Sequence, residues 1–144
     1  HFEGRDGLVA AIIEQHNAGI ETAREARLDA LGPSPTLAEL VDTVITPQAG
    51  LLDDQAGRQF LSIISQLNDV FDRWDDPRGV TPVQALRAFR AIESRLPDSL
   101  DQLVRRERVT RFLEMVSEAL GSRTNGYRLK TLMPMSLARS LWGT

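Results

Sequence analysis

Cysteine is absent from the 144 residues, which excludes a disulfide framework, a thiol nucleophile and a thiolate metal site. Histidine is scarce: His1 and His16 stand alone, too few and too far apart for a cluster of imidazole ligands. Long apolar runs are missing as well. The longest, residues 8–13, is far shorter than the ~20 residues that a bilayer requires. The opening residues carry none of the charged, apolar and small-residue succession of a secretory leader, so a cytoplasmic protein with no membrane segment is expected. No Gly-x-Ser-x-Gly elbow and no Gly-rich phosphate loop occurs; the glycines are scattered at expected helix ends. Lys130 is the one lysine, and this preference for arginine reads as a GC-rich genome rather than a function.

What remains is the composition of an ordinary globular domain, with 42% hydrophobic and 26% charged residues, which argues against disorder and coiled coil. The net charge of -3 hides an asymmetry. Residues 1–81 hold 6 basic and 14 acidic side chains, and residues 82–144 hold 11 and 6. Two helix layers with complementary faces explain this better than a nucleic-acid face, because the arginines are spread over three expected helices.

Apolar residues recur at three- and four-residue spacing almost throughout, and alternation of the strand type is missing. The pattern predicts an all-α chain of about six helices. The first starts near Arg5, buries Leu8, Val9, Ile12, Ile13, His16 and Ile20, turns Glu14, Glu21, Arg24 and Glu25 outward, and stops at Gly32-Pro33. The second opens at Thr36 with Glu39 in capping-box spacing and is ended or kinked by Pro47. The third starts near Asp53 or Asp54 and runs through Phe60, Phe71 and Trp74. For the fourth, Thr81 is the expected N-cap, Pro82 the first helical residue and Gln84 the completion of a box, with Val83, Leu86, Phe89, Ile92 and Leu96 inward. The fifth reaches Leu120 and closes at Gly121. The last covers Leu129 to Leu141, bent at Pro134.

Two groups of side chains bear on chemistry. Asp69, Asp72, Asp75 and Asp76 fall within eight residues, and a helix would align three of them; paired carboxylates of this kind hold Mg²⁺ in helical prenyl-transfer enzymes. Arg73 interrupts the cluster and no second acidic motif answers it, so a solvated helix end is the plainer reading, and no metal or cofactor is expected. The aromatics point elsewhere. Phe60, Leu67, Phe71, Phe89 and Phe112 face inward from three helices, with His16 and Gln66 as orienting polar groups, a lining suited to a small apolar ligand. The long fifth helix also carries more apolar positions than one stripe needs. Val109, Leu113, Val116 and Leu120, with Leu129, Leu132, Met133, Leu137 and Leu141 after it, offer a face for a second copy of the chain.

The opening stretch His1-Phe2-Glu3-Gly4-Arg5-Asp6-Gly7-Leu8 resembles the junction of TetR-family transcriptional regulators, where the DNA-recognition helix ends and a G-S-K-[ED]-x-L turn starts the connecting helix. Phe2, Arg5, Asp6 and Leu8 fit; Glu3 and Gly4 replace the usual Gly and Ser. The run from Asp54 through Gly57-Arg58-Gln59-Phe60-Leu61 is similar to the family's D-x-x-G-R-x-F-L segment, and the order of the later helices follows the family as well, although Pro134 is not typical of its final helix.

The resemblance implies that residues 1–6 are the remnant of a helix-turn-helix domain and its junction, and residues 7–144 an effector-binding and dimerisation domain. It implies a homodimer whose last two helices form a four-helix bundle, operator DNA bound through an upstream head, and a small-molecule effector between the helices. His1 and Arg5 would then lie against DNA phosphate, contacts that set affinity rather than sequence choice. The expected activity is transcriptional repression, not catalysis. A small Mg-dependent helical enzyme using residues 69–76 and a ligand-free dimerisation or adaptor bundle are the alternatives.

Overall fold

The structure, a computed structural model, describes residues 4–66, 68–77, 79 and 81–123. Among these residues the chain is all-helical, with α1 (Gly4–Ala30), α2 (Leu37–Ala49), α3 (Gln55–Ser65), α4 (Val83–Arg95) and α5 (Gln102–Arg123), plus 3-10 helices at Gly50–Asp53 and Asn68–Arg73. Five α-helices therefore stand where six were expected, and the sixth, at residues 127–142, lies outside the described residues. α5 packs along α3, α2 along α4, and α1 closes over α2 and α4. The core between them holds Leu40, Val44, Trp74, Ala88, Ile92, Val109, Val116 and Leu120.

Local chemistry explains most of the helix ends. Thr36 Oγ1 accepts from the Glu39 amide at 3.1 Å while Glu39 Oε1 accepts from the Thr36 amide at 2.9 Å, the expected reciprocal box. Asp54 caps α3 by accepting from the Gly57 amide at 2.6 Å. Gly57 is required there, because any Cβ would run into the Leu51 carbonyl of the preceding 3-10 turn. Arg58 Nη1 donates to Leu52 O at 2.8 Å, so the Gly-Arg pair of the sequence motif fixes the entry to α3.

α3 does not run on to Trp74. It ends at Ser65, and the chain tightens into the 3-10 helix Asn68–Arg73. A continuous helix over residues 55–76 would be about 33 Å long and would carry Trp74 beyond the core. The break instead seats Trp74 at 1% exposure, edge-on to Phe89 with centroids 6.0 Å apart. Gly121 is likewise not a helix stop. It lies within α5 at the crossing with α3, where a Cβ would collide with the Ser65 side chain.

The charged stripe of α1 also departs from expectation. Arg24 is 1% exposed rather than solvated. Pro47 sits inside α2 without ending it, and having no N–H it leaves the Thr43 carbonyl without its helical donor. Arg24 fills the gap: Nε donates to Thr43 O at 3.0 Å and Nη2 to Val44 O at 3.4 Å. Its Nη1 donates to Glu21 Oε2 at 3.1 Å. The Glu21 carboxylate in turn accepts from the Gln84 and Ala85 amides at 2.7 and 3.1 Å, the second and third residues of α4. Thr81 and Gln84 therefore form no capping box. α4 begins at Val83, behind Pro82, and its cap comes from α1, a carboxylate at the positive end of the helix. Val83 is 76% exposed as a result, and Leu8 at the start of α1 is also exposed.

Burial of Arg24 lowers its pKa and Glu21 opposes that shift. Removing the guanidinium leaves the Thr43 carbonyl without a donor and the Glu21 carboxylate without its cation. Arg24→Met is expected to cost about 3–5 kcal/mol in urea unfolding. Pro47→Ala restores the missing N–H, so its stabilising effect should be about 1 kcal/mol greater in the Arg24→Met background than in the parent. Equal effects in both backgrounds would rule out the carbonyl link.

Candidate functional site

α1, α2, α3, α4 and α5 together leave a cavity of about 80 Å³. Its walls are Asn17 and Ile20 of α1, Val44 and Gln48 of α2, Phe60, Leu61 and Ile64 of α3, Phe89 of α4, and Leu113, Val116 and Ser117 of α5. Phe71 from the second 3-10 helix and Thr81-Pro82 ahead of α4 complete it. Apolar side chains dominate, and none of the described lining residues is ionisable. The expected ring trio of Phe60, Phe71 and Phe89 is brought together here.

The other expected ligand residues are placed differently. His16 is half-buried behind the wall, stacked on Phe60 at 4.8 Å with 30° between the rings, and so backs the ring rather than facing the cavity. Phe112 is buried in the core but does not line the cavity, because it projects from a different side of α5 than Leu113 and Ser117. Gln66 caps the end of α3 and is exposed, and Leu67 lies outside the described residues. The polar groups that do reach the cavity are Asn17, Gln48, Thr81 and Ser117. Ser117 is 7% exposed, and its Oγ has no hydrogen-bond partner. A helical serine commonly donates to the carbonyl one turn back, and this hydroxyl makes no such bond. The sequence carried one signal for it: a polar residue inside the apolar stripe Leu113, Val116, Leu120.

Of the expected phosphate-contact and pairing residues, only the side chains of Val109, Leu113, Val116 and Leu120 are among those described. His1 lies outside the described residues, as does the side chain of Arg5 at the start of α1. Val109, Leu113, Val116 and Leu120 are buried in the chain's own core, because the stripe that carries them is the one α3 and α4 cover; they are not an outer face. Leu129, Leu132, Met133, Leu137 and Leu141 fall outside the described residues. The exposed apolar side chains on α5 are Leu103, at 78%, and Val104.

The aspartate group is dispersed in the same way. Asp75 takes a bidentate pair from Arg106, with Nε at 3.0 and 2.9 Å and Nη2 at 2.9 Å, and Arg106 Nη2 also donates to the Asp72 carbonyl. Asp72 is exposed, and the side chain of Asp69 is outside the described residues. Among the described residues no three of His, Asp or Glu meet in a geometry that could hold a metal ion, and no helix is long and apolar enough to cross a membrane. The hydrogen bonds from Arg106 hold the Asp75 carboxyl below its ordinary 3.8.

No family model, no curated protein and no solved structure matches the chain.

Two measurements check these environments. Asp75 has its pKa depressed in the folded state, so its contribution to stability is present above the unfolded value of 3.8 and is lost as pH falls through the lower folded value. Asp75→Asn should cost at most about 1 kcal/mol at pH 7, since both partners are partly solvated, and the deficit should shrink as pH falls below 3.8. A deficit that does not shrink as the pH is lowered would place the effect outside the ion pair. Ser117→Ala removes an unpaired buried hydroxyl and should raise stability by up to about 1 kcal/mol without a ligand, where an ordinary hydrogen-bonded serine would show a loss.

Proposed function

We propose that the chain is the effector-binding part of a TetR-like transcriptional regulator, a repressor, in which a small, mainly apolar molecule in the Phe60–Phe71–Phe89 cavity shifts α1. The observation that carries this reading is the position of the cavity: it lies at the joint between α1 and the rest of the bundle, beside the hydrogen bonds that fasten α1 to α4.

α1 has two unlike halves. Among its described side chains the buried ones, Ile20, Arg24 and Leu28, lie in the second half, where Arg24 and Glu21 bind it to α2 and α4. Toward the start, His16 stacks on Phe60 of α3. Asn17 and Ile20, at the boundary, face the cavity. A guest that parts the walls presses on that boundary and on Pro82, one residue before the helix that Glu21 caps. Over the ~24 Å from Ile20 to Gly4, a tilt of about 10° moves the tip by roughly 4 Å. Displacement on that scale matters to a dimeric helix-turn-helix protein, whose half-sites lie about 34–36 Å apart. An effector needs to favour the tilted state by about 1–3 kcal/mol.

The reading includes a homodimer and an operator-binding head encoded upstream. With the inner stripe of α5 occupied, the pairing face on that helix falls to its outward side chains, Leu103 and Val104 among them.

A library of small apolar metabolites screened by thermal denaturation tests the sensing role. A true effector at about a hundred times its Kd adds about 2.7 kcal/mol, a rise of several degrees in Tm. No rise with any member would overturn the role. The coding sequence immediately upstream of His1 tests the family: a helix-turn-helix pattern supports it, and a start codon or unrelated segment removes it.

A further inference from the structure

The cavity has a chemistry more specific than apolar. Among the described residues that line it none is ionisable, so a charged guest meets no counter-charge from them on being desolvated. Three phenyl rings, from α3, α4 and the second 3-10 helix, present flat apolar surface. In the same lining, Ser117 has a buried, unpaired Oγ able both to donate and to accept. The volume is about 80 Å³, against the ~150 Å³ of an engineered apolar cavity that admits benzene. A ring therefore enters only if a wall gives. Two walls lie outside the α2–α3–α4–α5 core: the Asn17–Ile20 side of α1, and Phe71, half-buried on a 3-10 helix whose hydrogen bonds are weaker than those of an α-helix.

From these features we infer that the cavity selects a neutral, single-ring molecule of about phenol size, whose one hydroxyl or carbonyl oxygen pairs with Ser117. The inference rests on the sensing role proposed above and adds the class of effector to it. Selection works twice. Burial of the guest rejects an ionised analogue, and the waiting hydroxyl favours a ring that carries an oxygen over one that does not, since only the former leaves Ser117 satisfied.

Calorimetric titration of the intact protein with phenol, benzene and benzoate at pH 7 separates the possibilities, with the Ser117→Ala variant alongside. Phenol is expected to bind about tenfold more tightly than benzene, and benzoate not at all. In Ser117→Ala the preference of phenol over benzene should collapse to about onefold, while benzene binding is kept or improved. That retention shows the cavity intact, so a misfolded variant cannot mimic the result. Benzoate binding as well as phenol, or a phenol preference that survives Ser117→Ala, overturns the inference while leaving the sensing role standing. Failure of all three rings to bind, when a larger member of the metabolite library does raise Tm, overturns the size and ring assignment alone. Failure of every compound in both experiments overturns the sensing role with it.

Discussion

A proline in the last turn of α2 leaves one backbone carbonyl without a donor, and the arrangement of three helices follows from how that carbonyl is satisfied. Arg24 reaches it from α1, and to do so the guanidinium is taken almost wholly out of water. A buried guanidinium needs a partner, which Glu21 supplies one turn away. The same carboxylate spans to the first turn of α4, whose amides have no donor-acceptor partner of their own and no side-chain cap. One chain of charge-assisted hydrogen bonds thus joins α2, α1 and α4, and each member is costly to leave unpaired. The apolar core that packs around it is supplied by many side chains, but the register of α1 on its neighbours is set by these few polar atoms.

That fixed joint gives the cavity its meaning. A void bounded by three phenyl rings could be a simple packing defect, and a void with one orphaned hydroxyl could be a site for water. The two together lie against residues flanking the clamp, so that in the proposed sensing role a guest's volume is felt at a connection that orients α1. The small size of the void strengthens the point, because a cavity already large enough would accept a guest without moving anything.

What could be read from the sequence was local in origin. The box at Thr36 and Glu39 and the cap at Asp54 depend on residues three apart, so spacing alone revealed them. The inward faces of Phe60, Phe71 and Phe89 followed from helical periodicity. What could not be read was non-local. Arg24 looks solvated on a helical wheel, since its partners are a carbonyl 19 residues away and a carboxylate shared with amides more than 60 residues from Glu21. Thr81 and Gln84 have the letters of a capping box, yet a tertiary carboxylate took the amide they would have used. The early end of α3 was hidden for the opposite reason: Phe71 and Trp74 keep helical spacing across a break that lets Trp74 turn into the core.

The central claim is that occupancy of the cavity is transmitted to the fastening between α1 and α4. Amide hydrogen exchange at Gln84 and Ala85, followed with and without saturating phenol, reads that fastening directly, because both amides donate to Glu21. The account predicts faster exchange at these two positions when the guest is bound, while amides in the middle of α5 slow as the fold is stabilised. Slowing at Gln84 and Ala85 in step with α5 would mean that the guest binds without working the joint, and would contradict the account.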